Sequence, residues 1–241
     1  MKVLINKVLG QVGYRIERKR KQDDIVLVKL KKLTKNSGPL TIFDVGAYLG
    51  ETAIKFSKAF SPQSKIYAFE PFLETYEILQ KNIAAYPNIK SVNIGLADSD
   101  GTAAFNSNRF AATNSLLSTS AEGIKNWGVG LMETQQQIEI PVRTIDSLME
   151  EQGVEQIDIL KMDAQGAEYK VLKGAEQAMA AGKIKLIYTE MIIMPTYEAQ
   201  KGLDEMLPMM KAYGYTLYDL YLSYNPEGQL RFTDGIFVYT N

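Results

Sequence analysis

The sequence predicts an α/β fold: a mostly parallel, twisted sheet with helices on both faces and an antiparallel hairpin at the C-terminus. Two observations carry this. From residue 40 onward, short β-type apolar runs alternate with helical-period segments, the pattern of strands joined by crossover helices. The closing stretch, "GYTLYDLYLS…GQLRFTDGIFVYT", alternates like two strands joined by the "NPEG" turn.

The strands are read in order at 40–46 (LTIFDVG), 65–70 (KIYAFE), 89–94 (IKSVNI), 157–163 (IDILKMD) and 184–190 (IKLIYTE). Three of them end in a carboxylate: Glu70, Asp163 and Glu190. Helical segments follow near 50–60, 72–85, 166–181 and 198–213, with breaks at "KNSG" before residue 39 and "AG" at 181–182. Residues 101–140 are rich in small and polar side chains, and one or two short strands around a long loop are expected there. An insertion of that kind over the carboxyl edge of a sheet suits a substrate lid.

Composition bounds the chemistry. The 241 residues, 46% hydrophobic and 23% charged, suit one large globular domain. There is no apolar run of about 18 residues, and "MKVLINKVLGQVGY" is interrupted by Lys7 and glycines, so neither a membrane span nor a signal segment is expected. Cytoplasmic placement follows as the expectation. With no cysteine and no histidine, thiol nucleophiles, thiolate metal sites and imidazole bases are excluded.

Charge is unevenly spread. Residues 1–36 hold 11 Lys/Arg against 3 Asp/Glu, net +8, while the remainder holds 16 against 25, net -9. We therefore expect a basic extension over 1–38 that covers the acidic 39–241 domain or pairs two subunits of a homodimer. Its "IVLVKLKKL" at 25–33 suits an edge strand or a helix face, and the run Arg15 to Lys21 has no accompanying nucleic-acid signature.

The "FDVGAYLGET" turn (43–52) raises the central question. Gly46 and Gly50 form only G-x-x-x-G, short of the G-x-G-x-x-G of a dinucleotide site, and no Lys-Ser/Thr of a P-loop follows. Asp44 and Glu51 would moreover repel a pyrophosphate. A ligand that presents a cation there removes the conflict. S-adenosylmethionine does so: Asp44 and the amides around Gly46 would receive its amino-acid end, and Glu70 would accept hydrogen bonds from its ribose hydroxyls. Ala47, Tyr48, Gly50, Pro71, Ala97 and Asp163 complete the expected cofactor set.

Together "FDVGAYLGET", "YAFEP" (67–71), "VRTIDSL" (142–148) and "ILKMDAQGAEYKVLKGA" (159–175) resemble the FkbM-type methyltransferases. The resemblance implies a Rossmann-like class I methyltransferase fold and S-adenosylmethionine-dependent O-methylation of a small-molecule hydroxyl, on a sugar or a secondary metabolite. Tyr48 stands where that family commonly has Asn, and Gln165 where it commonly has Glu.

Methyl transfer from a sulfonium is an in-line displacement, so alignment supplies much of the catalysis and a carboxylate can take the acceptor proton. Asp163 is the first candidate and Glu190 the second; together they form a candidate pair for a divalent metal. Lys161 is a third catalytic candidate, and Asn114, Ser115 and Glu168 are substrate candidates. The alternatives are a non-catalytic adenosyl-cofactor-binding protein and an NAD-type oxidoreductase.

Overall fold

In the computed structural model, residues 22–35, 38–127, 130–225 and 227–240 are described. The chain divides into two units, residues 1–36 and 37–241. In the first, α1 (Gln22–Leu33) places Lys31 and Lys32 in its last turn, where cations meet the negative end of the helix dipole. The Thr34 hydroxyl closes this helix by donating to the Leu30 carbonyl at 3.0 Å. The ambiguous 25–33 run is therefore helical, and the basic run 15–21 lies outside the described residues.

The second unit is built on seven strands: β1 (Thr41–Val45), β2 (Lys65–Phe69), β3 (Ile89–Val92), β7 (Ile157–Met162), β8 (Ile184–Ile192), β9 (Tyr215–Tyr224) and β10 (Leu230–Tyr239). Their order is β3-β2-β1-β7-β8-β10-β9. All neighbours run parallel except β10, which is antiparallel to both β8 and β9. Four consecutive residues of β1, Ile42 to Val45, are buried, so this strand is covered on both faces. Phe43 sits at its centre with ring centroids 5.1 Å from both Tyr67 and Phe69.

The crossovers carry α2 (Glu51–Ala59), α3 (Leu73–Ile83), α5 (Ile145–Glu151), α6 (Glu168–Lys173), α7 (Glu176–Ala180) and α8 (Leu203–Ala212). The single helix expected over 166–181 is thus two. The break falls at a close backbone approach: a Cβ at Gly174 would stand 2.0 Å from the Ala97 carbonyl oxygen.

Residues 101–140 differ most from expectation. β5 (Gly101–Asn108) and β6 (Thr134–Arg143) are long strands paired antiparallel, joined on the other side of β6 by the short β4 (Gly95–Leu96). A 3₁₀ turn (Ala111–Thr113) and α4 (Ala121–Trp127) lie between β5 and β6. The strand signal was weak because the first half of β6, "TQQQ", is exposed and carries no apolar alternation. This second sheet has its own small core of Phe72, Ala97, Phe105, Ile140 and Val142.

Phe43 is fully buried. Phe43→Ala is expected to cost about 3–5 kcal/mol, seen as a lower urea midpoint at unchanged slope.

Candidate active site

In an open parallel sheet, ligands bind where the strand order reverses, outside the carboxyl ends of the strands. Here that point lies between β1 and β7, whose pairing sets Asp44 opposite Lys161. The Lys161 ammonium stands 3.0 Å from Asp44 Oδ1, with both side chains buried, and donates to the Gly46 carbonyl at 3.2 Å. Burial acts to lower the Lys161 pKa, but Asp44 and Asp163, with Glu190 beyond them, raise it above its ordinary value. The Asp44 charge that the sequence argument gave to a cationic ligand is therefore met by Lys161, and neither residue lines the cleft below. Lys161 works as a tie between two strand ends rather than at the surface of the site.

The glycine turn answers to packing in the same way. Gly46, at φ 71°, would place a Cβ 1.9 Å from the Asp163 carbonyl oxygen, so only glycine lets the ends of β1 and β7 come together. Gly50, at φ 87°, would press a Cβ into Leu79 and Ile83. Most amides of this turn are occupied: Gly46 and Ala47 donate to the Phe69 carbonyl at 3.1 and 2.9 Å, and Gly50 to that of Ala47 at 2.8 Å. Tyr48, itself left-handed at φ 47°, donates its amide to Glu70 Oε2 at 3.0 Å.

Glu70 joins two turns, since its Oε1 accepts from the Phe72 amide at 3.1 Å. Burial pushes its carboxyl up to about 7 against these two hydrogen bonds, which lower it. It faces an open cleft. Of the site residues read from the sequence, Gly46, Tyr48, Glu70, Pro71, Asn114 and Asp163 line this cleft. Phe69, Ile94, Gly95 and Leu96 form an apolar wall beside Glu70, and Phe105, Ala111, Ala112 and Leu116 of the insertion complete it.

At the far end the walls become acidic. Gln165, left-handed at φ 52°, donates its amide Nε2 to Asp163 Oδ1 at 2.7 Å and to Glu190 Oε2 at 3.4 Å. The Tyr197 hydroxyl lies 3.0 Å from Gln165 Oε1, and burial raises its pKa, keeping it protonated. Glu168 is buried and accepts the Ala164 amide at 2.6 Å; burial pushes its carboxyl up to about 7. Burial, with Asp163 next, holds Glu190 well above the usual carboxylate range. Carboxylate oxygens of Asp163, Glu168 and Glu190 lie within 4.8 Å of one another, which adds Glu168 to the pair read from sequence.

Several expected site residues stand back from the cleft. Ala97 packs in the core of the second sheet with its amide bonded to Arg143, and the cleft is lined instead by the residues just before it. Ala47, Gly50, Ser115, Glu168 and Glu190 lie outside its lining. Ser115 is a buttress: its hydroxyl donates to the Gln165 carbonyl at 2.7 Å, pinning the insertion beside Asp163. Sequence reasoning missed Gln165 as a contact between acids because it was read only as a departure from the resembled family's Glu.

A seven-stranded, mostly parallel sheet with a reversed strand beside its edge, and a cleft at its switch point holding a glycine turn and Glu70, defines the class I methyltransferase fold. Residues 44–217 match the methyltransferase FkbM domain, and the chain belongs to that family. It is 29% identical over 157 residues to methyltransferase sdnD of Sordaria araneosa, covering 56% of this chain and 60% of sdnD. It is 27% identical over 179 residues to the 2-O-methyltransferase NoeI of Sinorhizobium fredii, covering 71% of each. The METTL16 MTase domain superposes with a TM-score of 0.51 at 10% identity, over all of this chain and 79% of the other.

Removing one partner of a buried ion pair leaves the other uncompensated. Asp44→Asn should lower stability by about 3–5 kcal/mol, and adding Lys161→Met to it should recover much of that loss in denaturant titrations.

Proposed function

We propose that this protein is an S-adenosylmethionine-dependent methyltransferase acting on a hydroxyl of a small molecule. The observation that carries the reading is Glu70, a buried carboxylate at the end of β2 facing the switch-point cleft beside the Gly46 turn. Each of its oxygens already accepts one backbone amide and retains a lone pair for a ribose hydroxyl. The apolar wall of Phe69, Ile94 and Leu96 suits the adenine ring. The cofactor supplies, when bound, a methyl group on a positively charged sulfur. Family membership supports the transfer, and NoeI, by its name a 2-O-methyltransferase, supports an oxygen acceptor. The chain spans 60% of sdnD, so acceptor and activity are read from the site.

In this reading Asp163 is the base. It lines the cleft, and the Gln165 amide at 2.7 Å orients one carboxylate oxygen and leaves the other for an acceptor hydroxyl. Asp163 would take the proton of an acceptor hydroxyl as its oxygen gains the methyl group, the methyl–sulfur bond breaking and the sulfur leaving as the neutral thioether of S-adenosylhomocysteine. Glu190, whose carboxyl burial and neighbouring acids push well above the usual range, lies outside the cleft lining and accepts from Gln165 at 3.4 Å. Cytoplasmic placement and a small-molecule acceptor belong to the same reading. Among the described residues, no helix is long and apolar enough to cross a membrane.

A second reading places a divalent cation among Asp163, Glu168 and Glu190, favoured by the mutual approach of their oxygens to within 4.8 Å. A cation there would acidify the acceptor hydroxyl. Loss of activity on chelation, restored by Mg²⁺ or Mn²⁺, would select it; indifference to chelator leaves Asp163 as the base.

Calorimetry with S-adenosylhomocysteine tests the main reading. With Glu70 titrating at about 7 in the free protein, affinity should rise as pH rises through that value and level off above it. Near pH 6 binding should be about ten-fold weaker than at pH 8, and Glu70→Gln should flatten the profile. Asp163→Asn should lower turnover far more than cofactor affinity. A pH-independent affinity would remove Glu70 from the ribose site.

A further inference from the structure

The cofactor reading leaves one end of the ligand unprovided for, and the inference here rests on that reading. A carboxylate moved from water into a cleft needs hydrogen-bond donors, since an unsatisfied charged group is costly to bury. The glycine turn is the expected source. Its Gly46, Ala47, Tyr48 and Gly50 amides are already bonded within the protein, and Leu49 does not line the cleft. Across the cleft, the Asp163 amide donates to the Val45 carbonyl at 3.0 Å, and the Ala164 amide to Glu168 at 2.6 Å. The acidic side chain in this part of the lining, Asp163, attracts the sulfonium and ammonium of the cofactor and repels its carboxylate.

Among the described residues, one buried side-chain donor in the wall is unspent. Asn114 lines the cleft, is 9% exposed, and its Nδ2 has no hydrogen-bond partner among the described residues. The orientation of its amide is set, because Oδ1 accepts the Asn108 amide at 2.7 Å and so must face that way. The next residue, Ser115, bonds to the Gln165 carbonyl, which seats Asn114 at the acidic end of the cleft. A buried, unpaired amide donor is unfavourable unless a ligand completes it.

We propose that Asn114 Nδ2 donates a hydrogen bond to the amino-acid carboxylate of the bound cofactor. The insertion then belongs to the cofactor site as well as to the acceptor's path. An oxygen of the acceptor is the other possible recipient of this bond. The carboxylate is favoured because an acceptor hydroxyl finds a partner in Asp163, whereas the turn amides that would serve a carboxylate are taken.

The test compares S-adenosylhomocysteine with its decarboxylated analogue by calorimetry on the full chain. Wild type should bind the complete ligand more tightly. Asn114→Asp keeps the shape and the acceptor for the Asn108 amide while replacing the donor with an oxygen. It should weaken S-adenosylhomocysteine by about 10- to 100-fold and leave the analogue unchanged or tighter. Asn114→Ala should shift the same preference, and melting curves without ligand show whether either variant is folded. Equal weakening of both ligands, or unchanged affinity for S-adenosylhomocysteine, would overturn the proposal and return Asn114 to packing or to the acceptor. Failure of wild type to bind S-adenosylhomocysteine at all would instead overturn the cofactor reading, and the role of Asn114 with it.

Discussion

The ends of β1 and β7 meet closely because an ammonium and a carboxylate are buried together between them. Lys161 faces Asp44 across the strand pairing and reaches the Gly46 carbonyl, so one cation holds a side chain and a turn at once. The close approach of Gly46 to the Asp163 backbone depends on the same convergence. From it follows the placement of Tyr48, whose amide reaches Glu70, and of Asp163, which β7 delivers to the rim of the cleft. A buried pair of this kind contributes little net stability over a hydrophobic equivalent. Its value here is geometric: it sets where two turns begin.

Without histidine, the proton acceptors gathered at this site are carboxylates, and the structure gives these similar groups different surroundings. Glu168 is enclosed and engaged with a backbone amide, Glu190 is pressed by neighbouring acids, and Asp163 stands at the cleft with an amide donor at hand. Gln165 is central to this division, because its uncharged side chain joins two acids without adding a third charge. A glutamate at that position would add one more carboxylate to a cluster already crowded with them.

The main sheet was legible because each strand is a short apolar run bounded by turn residues, and local pattern is enough to find such runs. Glu70 was legible for the same reason: it is the first polar residue after a buried strand, so its position at the mouth follows from the strand's end. Asp44 was read by its charge alone, because a sequence does not show its partner Lys161, which lies 117 residues away in the chain across a parallel pairing. The glycines carry the same ambiguity, since a close backbone approach and a ligand contact demand the same residue. Asn114 could be picked as polar and near the site, but its unspent nitrogen is a fact of three-dimensional bonding. The second sheet was underestimated because half of β6 is exposed and carries no apolar period.

The cleft is shared between two hydrogen-bonded frameworks: its floor comes from the large sheet and part of its wall from the β4-β6-β5 sheet, which has a separate small core. Opening the smaller framework does not require breaking the larger one, so its local opening free energy can be well below that of global unfolding. Amide protons of β5 and β6 should therefore exchange with solvent through excursions that leave β1 and β7 protected. A ligand bridging Glu70 and Asn114 would bind both frameworks together, and its occupancy would be legible as slowed exchange in a region that contributes no acid to the chemistry.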